Sequence, residues 1–72
     1  MEWKIGDKVI WRHAITREQD VIRPAVVRGF TKHRVSIQVL YQLRGETWTS
    51  TRAVKAESLE PRAQLFKELD DE

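Results

Sequence analysis

Basic side chains are concentrated in the middle of this chain of 72 residues. Between residues 21 and 55, seven Lys or Arg side chains accompany a single acidic one, Glu46. Clusters of this kind bind the phosphates of nucleic acids, with an affinity that falls steeply as salt is added. The pattern therefore predicts a surface that binds RNA or DNA. The predicted residues are Arg28, Lys32, His33, Arg34, Arg44, Arg52, Lys55 and Trp48.

Aromatic side chains near these basic residues offer a second kind of contact. Tyr41, Phe30 or Trp48 would stack on exposed bases if its ring pointed outward. Of the three tryptophans, Trp48 is the best candidate for an exposed ring, because its neighbours Thr47, Thr49 and Ser50 are polar. The same part of the chain thus combines side chains suited to phosphates with rings suited to bases.

Other interpretations of the basic residues stay open. They would equally suit a solvated polar surface, or a surface that meets an acidic protein. Residues 56–72 carry six acidic and two basic side chains, so the C-terminal tail could compete for the basic surface. The sequence leaves open whether this tail folds back on the basic residues.

Three tryptophans, Trp3, Trp11 and Trp48, are many for a chain of this length. Two or three such rings around a cation would form an aromatic cage for a methylated lysine. In a small domain, large aromatic side chains more often fill the core and seal its ends. The sequence leaves open which of the three are core and which are surface.

Catalytic and metal-binding patterns are missing from the sequence. There is no cysteine, which excludes disulfides and cysteine-bound zinc. His13 and His33 have no carboxylate at ligand spacing, and Ser36, Ser50 and Ser58 have no apparent base. We therefore expect a non-enzymatic protein with no metal and no cofactor.

A β-hairpin is the strongest structural signal. Val21–Phe30 and Val35–Leu43 have strand patterns, and the four residues between them form the turn. Gly29 predicts a bulge in the first of these strands. In the second strand, the odd-numbered residues alternate with mostly polar ones and should line the core, while Leu40 should be covered from outside. The predicted core residues of that strand are Val35, Ile37, Val39, Tyr41 and Leu43.

Shorter elements surround the hairpin. We predict a first strand at Lys8–Arg12 and then a long loop to Asp20, anchored by Ile15. The remaining predicted elements are a turn at Arg44–Glu46, a strand at Thr47–Arg52 closed by Val54, a 3₁₀ turn at Ala56–Leu59 and a last strand at Leu59–Pro61.

The pattern changes at Arg62 to helical spacing. Pro61 suits the first position of a helix, and an apolar stripe follows it. A helix of about two to three turns would be marginal alone, so we expect this stripe to dock on the rest of the domain. The alternative is that it binds a partner groove or a second copy of the protein. The stripe consists of Ala63, Leu65, Phe66 and Leu69. The residues from Asp70 onward are expected to be mobile.

The layout resembles that of SH3-like small barrels, in their KOW, Tudor and chromo-barrel branches. The resemblance covers about residues 4–61 and implies a five-stranded, mainly β barrel, here followed by a short C-terminal α-helix. We therefore expect a barrel domain at 1–61, followed by a short amphipathic helix and acidic tail at 62–72. The matching segments are Gly6-Asp7-Lys8-Val9, Ala25-Val26-Val27, Val35-Ser36-Ile37-Gln38-Val39 and Ala56-Glu57-Ser58-Leu59-Glu60-Pro61.

Barrels of this type bind many kinds of ligand, so the fold does not select a function. The N-terminus does not have the pattern of a signal peptide, and no stretch approaches the roughly 20 apolar residues of a membrane helix. These features favour a soluble, cytoplasmic protein. We expect a small binding module for RNA or DNA. The alternative is a protein–protein interaction module or an accessory subunit of a larger complex, and the oligomeric state stays open.

Overall fold

A computed structural model describes residues 3–14 and 20–70. The predicted loop anchor, Ile15, lies outside these residues. The described chain forms five strands, one 3₁₀ helix and one short α-helix. The elements are β1 (Lys8–Ala14), β2 (Asp20–Phe30), β3 (Val35–Leu43), β4 (Glu46–Val54), a 3₁₀ helix (Ala56–Ser58), β5 (Leu59–Pro61) and α1 (Lys67–Asp70).

The five strands form one antiparallel sheet with the order β4-β3-β2-β1-β5. The first four strands follow one another as a meander, and β5 returns to pair with β1. Strands β4 and β5 are the two ends of this order, so the described part of the sheet is not closed by hydrogen bonds. The prediction of a mainly β protein with five strands is confirmed, whereas the closure of the sheet into a barrel is not.

The β2–β3 hairpin matches its prediction closely. Strand β3 has the predicted bounds, and a register shift between Val27 and Gly29 marks the predicted bulge. The four-residue turn is closed by the amide of Thr31, which donates to the carbonyl of Arg34 at 2.8 Å. In return, the amide of Arg34 donates to the hydroxyl oxygen of Thr31 at 3.0 Å. Local hydrogen bonding therefore stabilises a turn that contains no glycine.

The main core lies on one face of the sheet, which we call the inner face. Three of the five predicted core residues of β3, namely Val35, Ile37 and Val39, are buried there. Tyr41 is only half-buried, and Leu43 is 61% exposed, which corrects the prediction for Leu43. The pairing of β3 with β2 extends only as far as Val39, so the end of β3 passes beyond the core. The remaining core residues are Val9, Ala25, Val27, Val54 and Leu59.

A second, smaller apolar cluster lies on the opposite, outer face. Val26 and Leu40 point there because they alternate with the inner residues of β2 and β3. Leu69 of α1 is buried against them, and Phe66 packs beside it. Leu40 is 2% exposed, which confirms that this residue is covered from outside. The C-terminal segment is therefore the cover of the outer face.

The C-terminal helix is much shorter than predicted. It begins at Lys67 and has four residues, while Pro61 belongs to β5 and Leu65 is 66% exposed. The amide of Arg62 donates to the carbonyl of Lys8 at 3.1 Å, so the chain continues along β1 past Pro61. This tertiary contact overrides the helical periodicity of the sequence. In the described part of the chain, no helix is long and apolar enough to cross a bilayer.

Two other strands extend beyond their predicted bounds. Strand β1 continues to Ala14 instead of ending at Arg12, because it pairs residue by residue with β2 as far as Asp20. The predicted loop is shortened accordingly, and His13 belongs to a strand. Strand β4 covers Glu46–Val54, since all nine of its residues pair with β3.

Candidate aromatic and cationic site

Four side chains from four consecutive strands form a row across the inner face, next to the core. Trp11 of β1 lies opposite Arg23 of β2, and Tyr41 of β3 lies opposite Trp48 of β4. The two pairs are joined because the guanidinium carbon of Arg23 lies 4.6 Å from the centre of the Tyr41 ring. We call these residues the cross-strand row. It contains one cation and three aromatic rings, and the contact of Arg23 with Tyr41 has the geometry of a cation–π interaction.

The β3–β4 turn sets the register of one half of this row. Arg44 and Gly45 have φ angles of 51° and 84°, and positive φ at both central residues is typical of a type I′ hairpin turn. The turn places Leu43 opposite Glu46, and the pairing then places Tyr41 opposite Trp48. The two rings stack with their centres 5.6 Å apart and their planes 12° from parallel.

The other half of the row is extended by His13. Residues two apart on a strand share a face, and the centres of the Trp11 and His13 rings lie 4.7 Å apart. Trp11 is half-buried against the core, whereas His13 is exposed. An indole and an imidazole therefore line the β1 side of the site.

Arg52 adds a second guanidinium to the row. Its Nε donates to the Tyr41 hydroxyl oxygen at 3.2 Å. With Arg23 it lines a pocket of about 190 Å³, together with rings of β1 and β3. The complete lining is Trp11, His13, Arg23, Tyr41 and Arg52. Among the described residues, neither Arg23 nor Arg52 has a carboxylate partner.

A second, more open pocket of about 330 Å³ adjoins the first one. The two pockets share Trp11 and His13, and the second adds the cations of Arg34 and Lys55. Arg12 also borders it, with its guanidinium 2.6 Å from Glu60. The other lining residues are Ala53, Val54 and Ser58. In the described part of the chain, neither pocket is lined by Asp or Glu.

Four of the sequence-predicted site residues belong to this region. Arg52 and Trp48 lie in or beside the cross-strand row, while Arg34 and Lys55 line the second pocket. The others are placed elsewhere. Lys32 and His33 are exposed at the tip of the β2–β3 hairpin, and Arg44 is exposed in the β3–β4 turn.

Arg28 is separated from the rest by the sheet. Its Nε donates to the Oε1 of Gln38 at 2.9 Å, and its Nη2 donates to the carbonyl of Leu69 at 3.3 Å. These contacts hold Arg28 against the segment that covers the outer face. Its charge is part of the packing of that segment and does not join the cations of the two pockets.

Two members of the site, Arg23 and His13, are absent from the residues that the sequence predicts for binding. Arg23 is one of the seven basic residues between positions 21 and 55, and His13 falls in the predicted loop. One signal was available for the aromatic pair. A two-residue turn at Arg44 and Gly45 pairs Tyr41 with Trp48, since both lie three residues from that turn. The place of Arg23 depends on the bulge in β2, which changes the register.

The tryptophans do not form a group of three. Trp11 and Trp48 belong to the cross-strand row, whereas Trp3 packs on the core and lines a different pocket with Ala56 and Leu59. The indole N–H of Trp3 donates to the carbonyl of Ala56 at 3.4 Å. Trp3 therefore acts as a core-sealing residue.

Phe66, Leu69 and Asp70 of the C-terminal segment, which begins at Arg62, lie on the outer face. Arg62 is 7% exposed, and its guanidinium donates to the carbonyls of Val9 and Ala25 and to both carboxylate oxygens of Asp70. The hydrogen bond from Arg62, aided by one from the amide of Phe66, lowers the pKa of Asp70 to about 2. This carboxylate is thus engaged within the C-terminal segment.

The fold and the site together define a small antiparallel β protein with an aromatic and cationic inner face. Within residues 3–14 and 20–70, no three His, Asp or Glu side chains converge as a metal-binding group would. Comparison of the chain with protein-family models, curated proteins and solved structures finds no match.

Proposed function

We propose that this protein is a small, non-enzymatic binding module of the SH3-like barrel type, which binds RNA or DNA on its inner face. The observation that carries the proposal is the cross-strand row. It combines stacked rings with guanidinium groups that have no carboxylate partner among the described residues. The proposed site is the row with its two pockets, and it includes only four of the residues that the sequence predicts, namely Arg34, Trp48, Arg52 and Lys55.

Phosphate binding is the role of the cations around the pockets. Arg23 and Arg52 line the first pocket, and Arg34 and Lys55 line the second. A guanidinium can donate two parallel hydrogen bonds to one phosphate, which makes arginine well suited to this contact. Four cations on one surface account for binding that would weaken with salt through the release of counterions.

Base binding is the role of the aromatic rings. Base–aromatic stacking contributes about 1–3 kcal/mol per base and accepts any base, because every base has a π face. Tyr41 and Trp48 form a stacked pair beside Arg52, so a base and its phosphate could bind next to each other. This combination favours a nucleic acid over an acidic protein, which would need the cations but not the stacked rings.

The position of the C-terminal segment also supports the proposal. A tail that lay across the pockets would compete for the cations through its own carboxylates. Instead, Phe66 and Leu69 pack on the outer face, and Asp70 is paired with Arg62. Glu68 and Asp70, the described acidic residues of this segment, line neither of the two pockets.

A salt titration tests this function. We expect generic RNA and DNA oligonucleotides to bind at low salt, with the logarithm of affinity falling linearly as the logarithm of salt rises. Replacing Arg52 in the variant Arg52→Gln should weaken binding and reduce the salt slope by about 1, because one phosphate contact is removed. Fluorescence anisotropy of a labelled oligonucleotide provides the measurement.

The matched control is Lys67→Gln. Lys67 is an exposed residue of α1, on the outer side of the sheet. The variant removes the same charge from the protein but no proposed phosphate contact, so its salt slope should equal that of the unmodified chain. Equal losses in both variants would mean that only net charge matters. No binding of RNA or DNA at low salt would contradict the proposed function.

A further inference from the structure

The stacked pair of aromatic rings has an open end at the edge of the sheet. Strand β4 is the last strand in the sheet order, so Trp48 has Tyr41 on one side and no neighbouring strand on the other within the described chain. Trp48 is 45% exposed, although it is a large aromatic residue. The contacts thus run from Arg23 through Tyr41 to Trp48 and end at solvent.

We propose, on the basis of the nucleic-acid binding proposed above, that the site takes single-stranded rather than duplex nucleic acid. One unpaired base stacks on the exposed side of Trp48 and continues the stack formed by Trp48 and Tyr41. The adjoining phosphates bind Arg52 and Arg23, and the strand continues toward the second pocket. RNA and DNA share this chemistry, because both offer bases and phosphates.

A duplex cannot use Trp48 in this way. Its bases are already paired and stacked on each other, so an aromatic ring reaches a base face only after the base leaves the helix, which costs a few kcal/mol. A duplex would contact only the cations. The rings of the row therefore stabilise the complex with a single strand and contribute little to a complex with a duplex.

The dimensions of the cross-strand row suit a short stretch of single-stranded nucleic acid. The row crosses four β-strands, and three spacings of about 4.8 Å between neighbouring β-strands give it a length of about 14 Å. At the Trp11 end the two pockets share Trp11 and His13, so the cations of both form one continuous surface. A nucleic-acid strand that begins at Trp48 can pass Arg52 and reach Arg34 and Lys55, and no carboxylate of the described residues lines either pocket.

The experiment compares one oligonucleotide of about 12 residues, a length within the range that small single-strand-binding barrels cover, with its duplex. Binding is measured by anisotropy at fixed salt for the complete chain and two variants of Trp48. We expect Trp48→Ala to weaken single-strand binding about tenfold and to change duplex binding less than about twofold, because only the single strand stacks. Trp48→Phe keeps an aromatic face and should retain affinity within about threefold.

The matched control is Phe30→Ala. Phe30 was a candidate for base stacking and is 52% exposed, but it lies beside the hairpin turn, outside the row, and lines neither pocket, so it is not part of the proposed site. Its removal should leave both affinities unchanged. Duplex binding that equals single-strand binding, with equal losses in Trp48→Ala, would overturn the single-strand inference and leave the proposed function standing. Failure of both forms to bind would overturn the function as well.

Discussion

Among the described residues, two arginines stand over an aromatic ring, one on each face of the sheet. On the outer face, the guanidinium carbon of Arg62 lies 5.4 Å from the centre of the Phe66 ring, and Arg62 is 7% exposed. On the inner face, the guanidinium carbon of Arg23 lies 4.6 Å from the centre of the Tyr41 ring, and Arg23 is half-buried. Both make a cation–π contact. They differ in their hydrogen-bond partners.

Arg62 has its donors satisfied within the chain. Its guanidinium donates to three backbone carbonyls and to the carboxylate of Asp70. A buried charge must be paired in this way, since an unpaired one would destabilise the fold. Among the described residues, Arg23 has no carboxylate partner and faces a pocket. The contrast indicates that the outer arginine stabilises the fold and the inner one is available to a ligand.

Among the variants that distinguish the two faces, Asp70→Asn is expected to have the largest effect, a loss of stability. An amide supplies one acceptor oxygen where the carboxylate supplied two, and in either orientation its N–H₂ group would face an N–H donor of Arg62. Breaking one partner of a buried ion pair costs about 3–5 kcal/mol. We expect about 3 kcal/mol here, because Arg62 keeps its carbonyl partners. Urea denaturation gives the free energy of unfolding.

The control for this variant is Glu68→Gln, which removes the same charge from the same helix at an exposed position. It should change the free energy of unfolding by less than about 0.5 kcal/mol. Under conditions where Asp70→Asn is folded, its affinity for nucleic acid should match that of the unmodified chain. A loss of affinity in folded Asp70→Asn, without a similar loss in Glu68→Gln, would contradict the assignment of stability to the outer face and binding to the inner face.

A smaller loss of stability on the same face is expected at low pH. The pKa of Asp70 is lowered from 3.8 to about 2 in the folded protein, so the folded state favours the charged carboxylate. Its contribution is complete above pH about 4 and is lost as the pH falls toward about 2. Urea midpoints measured across this range should fall more steeply for the unmodified chain than for Asp70→Asn. Parallel curves would show that the ion pair with Arg62 does not hold the segment.

The smallest effect is expected at the hairpin tip, with Lys32→Gln. Lys32 is exposed and lines neither of the two pockets of the site. Removing its charge should leave stability within about 0.5 kcal/mol and should change affinity for nucleic acid less than Arg52→Gln does. Anisotropy titrations of the two variants side by side make the comparison. A larger loss of affinity for Lys32→Gln than for Arg52→Gln would place the binding site at the hairpin tip instead of the cross-strand row.

The hairpin was predictable because its signals are local. The alternation from Val35 to Leu43 has the period of a strand, and Gly29 marked the bulge in β2. The burial of Leu40 also followed from its place on the other side of that strand. Such patterns depend on neighbouring residues, whose faces are set by backbone geometry alone.

The C-terminal segment and the site were decided by contacts between distant residues. Helical spacing predicted a helix from Pro61, but the hydrogen bonds of Arg62 to the carbonyls of β1 and β2 hold that part of the chain against the sheet. Such an anchor leaves no local pattern in the sequence.

The composition of the chain determined that cations and aromatic rings are plentiful. The order of its residues determined that one face of the hairpin is apolar. The tertiary structure decided which ring lies beside which cation. Arg23 and Tyr41 are 18 positions apart and meet only because two strands pair with a bulge between them. A shift of one residue in that register would turn one of the two to the other face. The residue types were therefore determined by the sequence, and their assembly into one site by strand pairing.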